Sequence, residues 1–488
     1  MNFNEYKYLD LPKISEEILS YWEKNEIFKK SVNKTSGKNP YIFFEGPPSA
    51  NGLPGIHHVL ARSIKDIFLR FKTMKGFYVQ RKAGWDTHGL PVELGVENSL
   101  GITKEDIGKK ISVEDYNEEC KKAVMKYTDI WNDLTLKMGY WVDVNNPYVT
   151  YTPKYMESVW WLLKQIYDKE LMYKGYTIQP YSPKAGTAIS SHELNQPGTY
   201  QDVSDTTVTA QFKLLNKNLP DFLNTDTDIF VIAWTTTPWT LPSNTALTVG
   251  PKIKYSLIRS FNQYTGIKAD YIVAEDLISK QFSNVYYESD NLQDLAEYEF
   301  NAKKIPFVKI NSFLGKELEN IKYEQLIDYA VPYENPKDAF RIILGDFVTT
   351  TDGTGIVHTA PTFGADDALV AKSAKPPVPP MLVKDSNGDL VPLVDLQGKF
   401  RPEMRELAGK FVKNEYYEKD NVPEKSVDVE IAIKLKTENK AFKVEKYKHS
   451  YPNCWRTDKP ILYYPIDSWF IKASSFRDKM VSLNKKIN

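Results

Sequence analysis

The chain has little cysteine, no long apolar segment and no excess of either charge. Two cysteines, Cys120 and Cys454, among 488 residues are too few for a disulfide framework, which is typical of a reducing compartment and predicts a cytoplasmic location. No run approaches the ~18 consecutive apolar residues of a membrane helix, and the N-terminus lacks the basic start and apolar core of a secretory signal. Lys and Arg together number 63, as do Asp and Glu, so the chain as a whole is not attracted to nucleic acid, which does not exclude local basic faces.

The first hundred residues carry the pattern of an α/β fold. The apolar run at 41–46 is typical of a buried parallel strand, and a loop rich in proline and glycine follows it. From Ile56 the apolar residues recur at helical spacing until Gly76, and residues 77–93 predict a second strand and a loop. Strand, loop, helix and strand form a βαβ unit, which predicts a doubly wound parallel (Rossmann-like) sheet.

Two further patterns set the expected domains. Residues 13–31 have helical apolar spacing with Ser15 as a candidate N-cap. From about residue 200 the chain is rich in Thr, Val, Ile and Tyr in short runs between turn signals, which predicts a β-rich insertion. We therefore expect a first half of the α/β domain at 1–199, an inserted β-rich domain at 200–440, and a return to the α/β domain at 441–488.

Adjacent histidines stand where doubly wound folds bind phosphates, between a strand end and a helix N-terminus. The loop before His57 and His58 matches neither GxxxxGK[ST] nor GxGxxG. Adjacent helical residues point about 100° apart, so the two rings cannot hold one metal ion together. Imidazole N–H groups could instead join the free N–H groups of the helix end in a phosphate clamp. The residues alone leave this clamp and a structural packing role as equal alternatives.

The segment "FFEGPPSANGLPGIHHVLARSIKDIFLRFKTMKGFYVQRKAGWDTHGLPVE" resembles the first half of the active site of class I aminoacyl-tRNA synthetases, most closely the isoleucine-specific branch. "WTTTPWTLPSNTA", "GTGIVHTAPTFGADD" and "YPNCWRTDKPILYYPIDSWF" resemble that branch in order and spacing. The resemblance implies ATP-dependent activation of isoleucine with Mg²⁺, transfer to tRNA(Ile), and a monomer without membrane contact. Cysteine pairs bind zinc in some relatives; Ser182 and Thr457 stand at those positions beside Cys454, so no structural zinc is expected.

The family's His-x-Gly-His signature is altered in this chain to Gly55-Ile56-His57-His58. In the family the histidines stabilise charge on the α-phosphate while the glycine leaves room for adenine, so His57 and His58 are the expected catalytic residues. Two interpretations stay open: an active variant in which His57 takes the donor role or swings aside, and a degraded synthetase. The residues expected to bind ATP are Pro47, Asn51, Gly52, Gly55, His57 and His58.

The resemblance also implies two pockets for amino acids. Pro47 and Asp86 are expected to bind isoleucine, and Asp86 is expected to pair with its α-ammonium group. The alternative is that Asp86 is a plain turn residue. An editing pocket in the insertion would hydrolyse valyl-tRNA, because one methylene supports only ~1–3 kcal/mol of discrimination, a magnitude known from this enzyme family itself. Its expected residues are Thr235, Thr236, Thr237, Asn244, His358 and Asp367. Asp366 is the alternative to Asp367 as the carboxylate that holds the ammonium group.

One family signature is missing. No Lys-Met-Ser-Lys-Ser loop occurs, and "KMVSL" at 479–483 lacks the second lysine. We therefore expect the chain to be the N-terminal part of a longer enzyme. Three functions remain: isoleucine–tRNA ligase with editing, an editing-only aminoacyl-tRNA deacylase, and a non-catalytic nucleotide-binding protein derived from a synthetase.

Overall fold

A computed structural model describes residues 5, 8–43, 45–217 and 219–486. The chain divides into two compact units, Met1–Tyr173 with Ile471–Asn488, and Lys174–Phe470. The domain limits expected at 199/200 and 440/441 both fall inside the second unit. The physical reason is strand pairing: the segments that begin at Tyr200 and Ala441 pair with each other along the same large sheet as the insertion.

The first unit mixes helices with a small parallel sheet. Its helices are α1 (Leu11–Lys24), α2 (Ile27–Lys34), α3 (Ile56–Met74), α4 (Leu90–Leu100), α5 (Val113–Val124), α6 (Thr128–Lys137) and α7 (Pro153–Asp168). Its strands are β1 (Lys82–Trp85) and β2 (Asp143–Val149), which pair in parallel. The mixed α/β architecture with a parallel sheet is thus confirmed.

Two local expectations for this unit are wrong. The helix expected at 13–31 is two helices, because Glu26 adopts a left-handed conformation with φ 49° between α1 and α2. Its N-cap is Asp10, whose side chain accepts a hydrogen bond from the backbone N–H of Lys13 at 3.2 Å, and not Ser15.

The apolar run at 41–46 forms no strand in its described residues, which exclude Phe44. Pro40 alone makes a parallel bridge with Tyr78, and Ile42 is 72% exposed. Prolines lack the N–H that a ladder requires, and they stand on both sides of this run. The helix expected from Ile56 is confirmed as α3, which ends shortly before Gly76.

The second unit is built on a large β-sheet, as the composition after residue 200 predicts. Its first elements are β3 (Met172–Ser182), β4 (Thr187–Ala188), α8 (Ser191–Leu194), β5 (Tyr200–Lys213), β6 (Ile229–Thr235), β7 (Ala246–Val249), β8 (Lys254–Phe261), β9 (Lys268–Ala274), α9 (Ile278–Gln281), β10 (Tyr286–Glu288), α10 (Leu292–Ala296) and β11 (Ile305–Leu314). Its later elements are β12 (Arg341–Leu344), β13 (Ile356–Thr359), α11 (Ala365–Ser373), β14 (Leu382–Lys384), β15 (Leu390–Pro392), α12 (Val427–Thr437), β16 (Ala441–Cys454), β17 (Lys459–Pro460) and β18 (Leu462–Ile471). The last helix, α13 (Arg477–Asn484), belongs to the first unit.

The large sheet has 11 strands and holds the main core. Eight of them run in the order β10-β11-β8-β9-β6-β13-β7-β12, with β5 beside β6, β16 beside β5, and β17 beside β16. Phe212, Ile232, Leu257, Tyr271 and Phe442 are fully buried on it. The carboxyl ends of β6 and β13, which pair in parallel, lie next to each other. This placement brings together the two segments that follow those strands.

In the part of the chain that the structure describes, no helix is both long and apolar enough to cross a bilayer.

Candidate functional site

A cavity of about 480 Å³ opens in the first unit at the N-terminus of α3. The residues that line it come from the proline-rich loop, α3, the segment after β1, and α6: Glu45, Gly46, Pro47, Pro48, Ser49, Asn51, Gly52, Leu53, His58, Ala61, Arg62, Lys65, Asp86 and Trp131. Five of the predicted residues, Pro47, Asn51, Gly52, His58 and Asp86, therefore lie around one cavity. Gly55 and His57 are not among its lining residues.

One ring nitrogen of His58 accepts a hydrogen bond from the backbone. The backbone N–H of Gly55 donates to its Nδ1 at 2.9 Å, so the neutral ring carries its proton on Nε2. Burial, with the neighbouring His57 and Arg62, lowers the pKa of His58 below its usual value. The ring also meets the Trp131 ring edge-on, with centroids 4.7 Å apart. His58 is thus a neutral imidazole with one N–H donor, Nε2–H, at the cavity.

His57 points back over the glycine at position 55. Its ring centroid lies 3.8 Å from that of His58, and its side chain is exposed. A Cβ added to Gly55 would lie 2.8 Å from Cε1 and 2.9 Å from Nδ1 of His57. Atoms this close must move, so the His57 ring fills the space that a side chain at position 55 would need. Positions 55 and 57 are therefore spatially coupled.

Basic side chains on one face of α3 also line the cavity. They were not among the site residues predicted from the sequence. Arg62 lies over the Trp131 ring, with its guanidinium carbon 4.9 Å from the centroid, and Lys65 pairs with the carboxylate of Glu45. The hydroxyl of Tyr140 also donates to that carboxylate. His58, Arg62 and Lys65 follow one another at intervals of four and three residues, and this spacing on one helix face was the available signal.

Asp86 stands at the end of β1 and is fixed through its backbone. Its N–H donates to the carbonyl of Pro48 at 3.0 Å, which joins it to the proline-rich loop. The following Thr87 and His88 both bond to the hydroxyl of Thr150, at 3.0 and 3.2 Å. The loop is thereby ordered around Asp86, whose side chain is left to line the cavity.

In the second unit, the segment after β6 turns its threonines toward one another. The Thr235 hydroxyl accepts from the backbone N–H of Thr237 at 3.1 Å, and the hydroxyls of these two residues are 3.3 Å apart. Thr240, on the short helical turn Pro238–Ser243, donates its hydroxyl to the Thr237 carbonyl at 2.8 Å. Thr236 lies half-buried between them.

His358, near the end of β13, joins this threonine group to Asn244. Its Nδ1 is 2.8 Å from the Asn244 amide nitrogen, and its Nε2 is 3.1 Å from the Thr240 hydroxyl. Burial lowers the pKa of His358 to about 3, so the ring is neutral. Both ring nitrogens have protein partners, and the ring can therefore act on the site through Thr240. Thr240 was not among the predicted residues.

Asp367, in the first turn of α11, is anchored at the end of the same strand. Its Oδ2 accepts from the backbone N–H of Ala360 at 2.8 Å. Burial raises the pKa of Asp367 to about 6, and the neighbouring carboxylate of Asp366 adds to that increase. Asp366 itself is exposed. A cavity of about 490 Å³, lined in part by Ala365 and Pro361, lies beside this turn.

A buried ion pair network supports the threonine segment from α12. The backbone N–H of Trp239 donates to Oδ1 of Asp428 at 2.9 Å. The ammonium of Lys413 lies 3.9 Å from Asp428 and 3.1 Å from Asp205. Sequence reasoning missed all three charged residues, since nothing in their local pattern distinguishes them from surface charges.

Comparison with known proteins gives one family. The family model described as tRNA synthetases class I (I, L, M and V) matches residues 17–488. Curated isoleucine–tRNA ligases of Bacteroides fragilis and Cytophaga hutchinsonii are 55% and 56% identical over the whole chain, and that of Clostridium tetani is 40% identical over 99% of it. The alignments cover 43%, 44% and 41% of those relatives, so the chain spans about two fifths of their length.

Proposed function

The chain belongs to the class I tRNA synthetases (I, L, M and V), and from this we infer that it forms the part of an isoleucine–tRNA ligase that activates the amino acid and edits the product. Isoleucine and tRNA(Ile) are proposed as substrates because curated relatives that are more than half identical to the chain are named isoleucine–tRNA ligase. A monomer is also proposed. The proposed location is the cytoplasm, which the shortage of cysteine supports.

The observation that carries the activation proposal is the cavity shared by His58 and Asp86. In this reaction the isoleucine carboxylate attacks the α-phosphorus of ATP and pyrophosphate leaves, so the protein needs no nucleophile of its own. His58 would donate its Nε2–H to the α-phosphate oxygens as negative charge develops there. The ammonium group of isoleucine would pair with the carboxylate of Asp86.

The phosphates of ATP find further positive groups along α3. The N-terminal N–H groups of this helix carry partial positive charge, and Arg62 and Lys65 line the same cavity. The Mg²⁺ expected with ATP would be held mainly by the phosphates, since among the described residues no three His, Cys, Asp or Glu side chains form a ligand set. When bound, the ion would neutralise part of the triphosphate charge.

The second unit would hydrolyse the ester of valyl-tRNA(Ile). Asp367 would hold the ammonium group of the valyl moiety, and the hydroxyls of Thr235 and Thr237 would orient the attacking water. Hydrolysis adds water across the ester and releases valine and tRNA, so the atoms balance without a further reactant. The observation that supports this step is the hydrogen-bonded group of Thr237, Thr240 and His358 at adjacent strand ends.

Two measurements test the two activities separately on this chain. Calorimetric titration with a non-hydrolysable isoleucyl-adenylate analogue should show binding that falls by about tenfold or more in Asp86→Ala. Deacylation of valyl-tRNA(Ile) should be measurable and should be lost in Asp367→Ala. Asp133→Ala, on the surface of α6, is a control for the first measurement. Analogue binding without deacylation would favour a non-catalytic nucleotide-binding protein, and deacylation without binding would favour an editing-only deacylase.

A further inference from the structure

Tyr323 is a fully buried tyrosine whose hydroxyl meets the proposed editing residues. It donates to Oδ1 of Asn244 at 2.6 Å. Its ring packs edge-on against Phe212 and Phe340, with centroid distances of 5.4 and 6.3 Å. The side chain is 2% exposed, so it cannot touch a substrate. Any effect of Tyr323 on hydrolysis must pass through Asn244.

The contacts of Asn244 determine the direction of its amide. Its oxygen accepts from Tyr323, and its nitrogen donates to the carbonyl of Ala246 at 2.8 Å. A reversed amide would place oxygen against the Ala246 carbonyl, where neither atom can donate. With the observed orientation, the amide nitrogen also donates to Nδ1 of His358. The neutral ring of His358 therefore carries its proton on Nε2.

The tautomer of His358 in turn determines the role of Thr240. Nε2–H donates to the Thr240 hydroxyl oxygen at 3.1 Å, so the hydroxyl proton is free to donate to the Thr237 carbonyl. The Thr237 hydroxyl lies 3.3 Å from the same oxygen. If His358 carried its proton on Nδ1, Nε2 would compete for the Thr240 proton, and the threonine group would lose its alignment.

We propose that Tyr323 is a positioning residue for the proposed deacylation reaction: through the Asn244 amide it holds His358 in the Nε2–H tautomer and aligns the hydroxyls of Thr240 and Thr237. This inference rests on the proposed editing function for its catalytic meaning. The hydrogen-bond chain itself can be measured without any substrate, which separates the two hypotheses.

The first experiment measures the tautomer directly. Nitrogen-15 NMR of the histidine-labelled chain, which has six histidines, should show a neutral His358 protonated on Nε2. Asn244→Asp places an acceptor against Nδ1, so His358 should then carry a proton on Nδ1. A wild-type His358 protonated on Nδ1, or a tautomer that is unchanged in Asn244→Asp, would overturn the proposal.

The second experiment measures deacylation of valyl-tRNA(Ile). Tyr323→Phe keeps the packed ring and removes only the hydroxyl, so kcat should fall by about tenfold, the effect of one lost buried hydrogen bond, while KM changes little. Tyr286→Phe is the matched control. Tyr286 lies on the edge strand β10, and its buried hydroxyl donates to the carbonyl of Phe261, on β8, at 3.1 Å.

The outcomes of the two experiments are distinct. Equal losses of kcat in Tyr323→Phe and Tyr286→Phe, or a normal kcat in Tyr323→Phe, would contradict the positioning role. A wild-type chain that does not deacylate valyl-tRNA would contradict the proposed editing function. The NMR result on Asn244→Asp would still decide whether the hydrogen-bond chain exists.

Discussion

At the scale of single residues, the His57 ring occupies the space that a side chain at position 55 would need. The sequence leaves open whether His57 enters the adenine site or turns away, and a ring's direction cannot be deduced from its place in a motif. In the structure the ring of His57 lies over Gly55, next to His58. In this placement the ring is turned toward Gly55 and does not line the cavity, which is the orientation of a His57 that swings aside.

The coupling predicts a non-additive pair of substitutions. Gly55→His alone should weaken binding of an isoleucyl-adenylate analogue, because its Cβ would lie within 3 Å of the His57 ring. His57→Gly alone removes the ring that packs over Gly55 and beside His58, and should weaken binding less. The double variant, in which no ring opposes the new Cβ, should recover most of the loss. A double-mutant cycle by calorimetry should give a coupling energy of about 1 kcal/mol or more. Additive losses in the two single variants and the double variant would contradict the coupling.

Asp367 predicts a specific pH dependence for deacylation. A carboxyl must be ionised to hold an ammonium group, and burial raises the pKa of Asp367 to about 6. The kcat/KM for valyl-tRNA(Ile), measured from about pH 5 to 8, should therefore rise through that value and level off above it. Asp367→Asn should remove this rise together with most of the activity.

Asp366→Asn is the matched control for the identity of the carboxylate. Removing the negative neighbour lowers the pKa of Asp367, so the rise should move to lower pH while the plateau is kept. A lost plateau in Asp366→Asn with a normal Asp367→Asn would assign the editing carboxylate to Asp366 instead.

At the scale of elements, helical periodicity predicted α3 correctly. The predictions of a strand at 41–46 and of a single helix at 13–31 were wrong. Apolar spacing reports which face of a helix is apolar, but it does not report a left-handed residue such as Glu26. A short apolar run likewise does not show whether flanking prolines permit a ladder. The resemblance singled out His58, Asp86 and His358 as site residues, which stays a prediction. Their long-range partners, such as Tyr323 and Asp428, could be identified only from the fold.

Asp428 predicts how α12 supports the threonine segment. Asp428→Ala would leave the backbone N–H of Trp239 buried without its partner and remove one carboxylate near Lys413, so unfolding in urea should show a loss of about 2–4 kcal/mol. Asp428→Asn keeps an acceptor for that N–H and should cost less. Asp420→Ala, at an exposed position, should change stability little. Equal stability of Asp428→Ala and Asp420→Ala would show that the contact does not hold the segment.

At the scale of the whole molecule, the first unit carries two helices with extensive exposed apolar surface. Only Leu69 of α3 is buried, and α7 has no buried residue. The large exposed side chains on these helices are Ile56, Leu60, Ile64, Ile67, Phe68, Phe71 and Met74 on α3, and Tyr155, Val159, Trp160, Trp161, Leu162, Leu163 and Tyr167 on α7. Apolar surface of this extent ordinarily contacts other protein.

This surface predicts that the 488-residue chain associates with itself in isolation. Sedimentation velocity should show an average mass that rises with concentration, because burial of apolar side chains favours association by about 25 cal/mol per Å². Ile67→Glu and Trp160→Glu, at positions 66% and 63% exposed, should each lower that association without loss of folded structure. Val331→Glu, 57% exposed in the second unit, adds the same charge elsewhere and should leave association unchanged. A chain that stays monomeric at every concentration, or one affected equally by all three substitutions, would show that these two helix faces do not drive association.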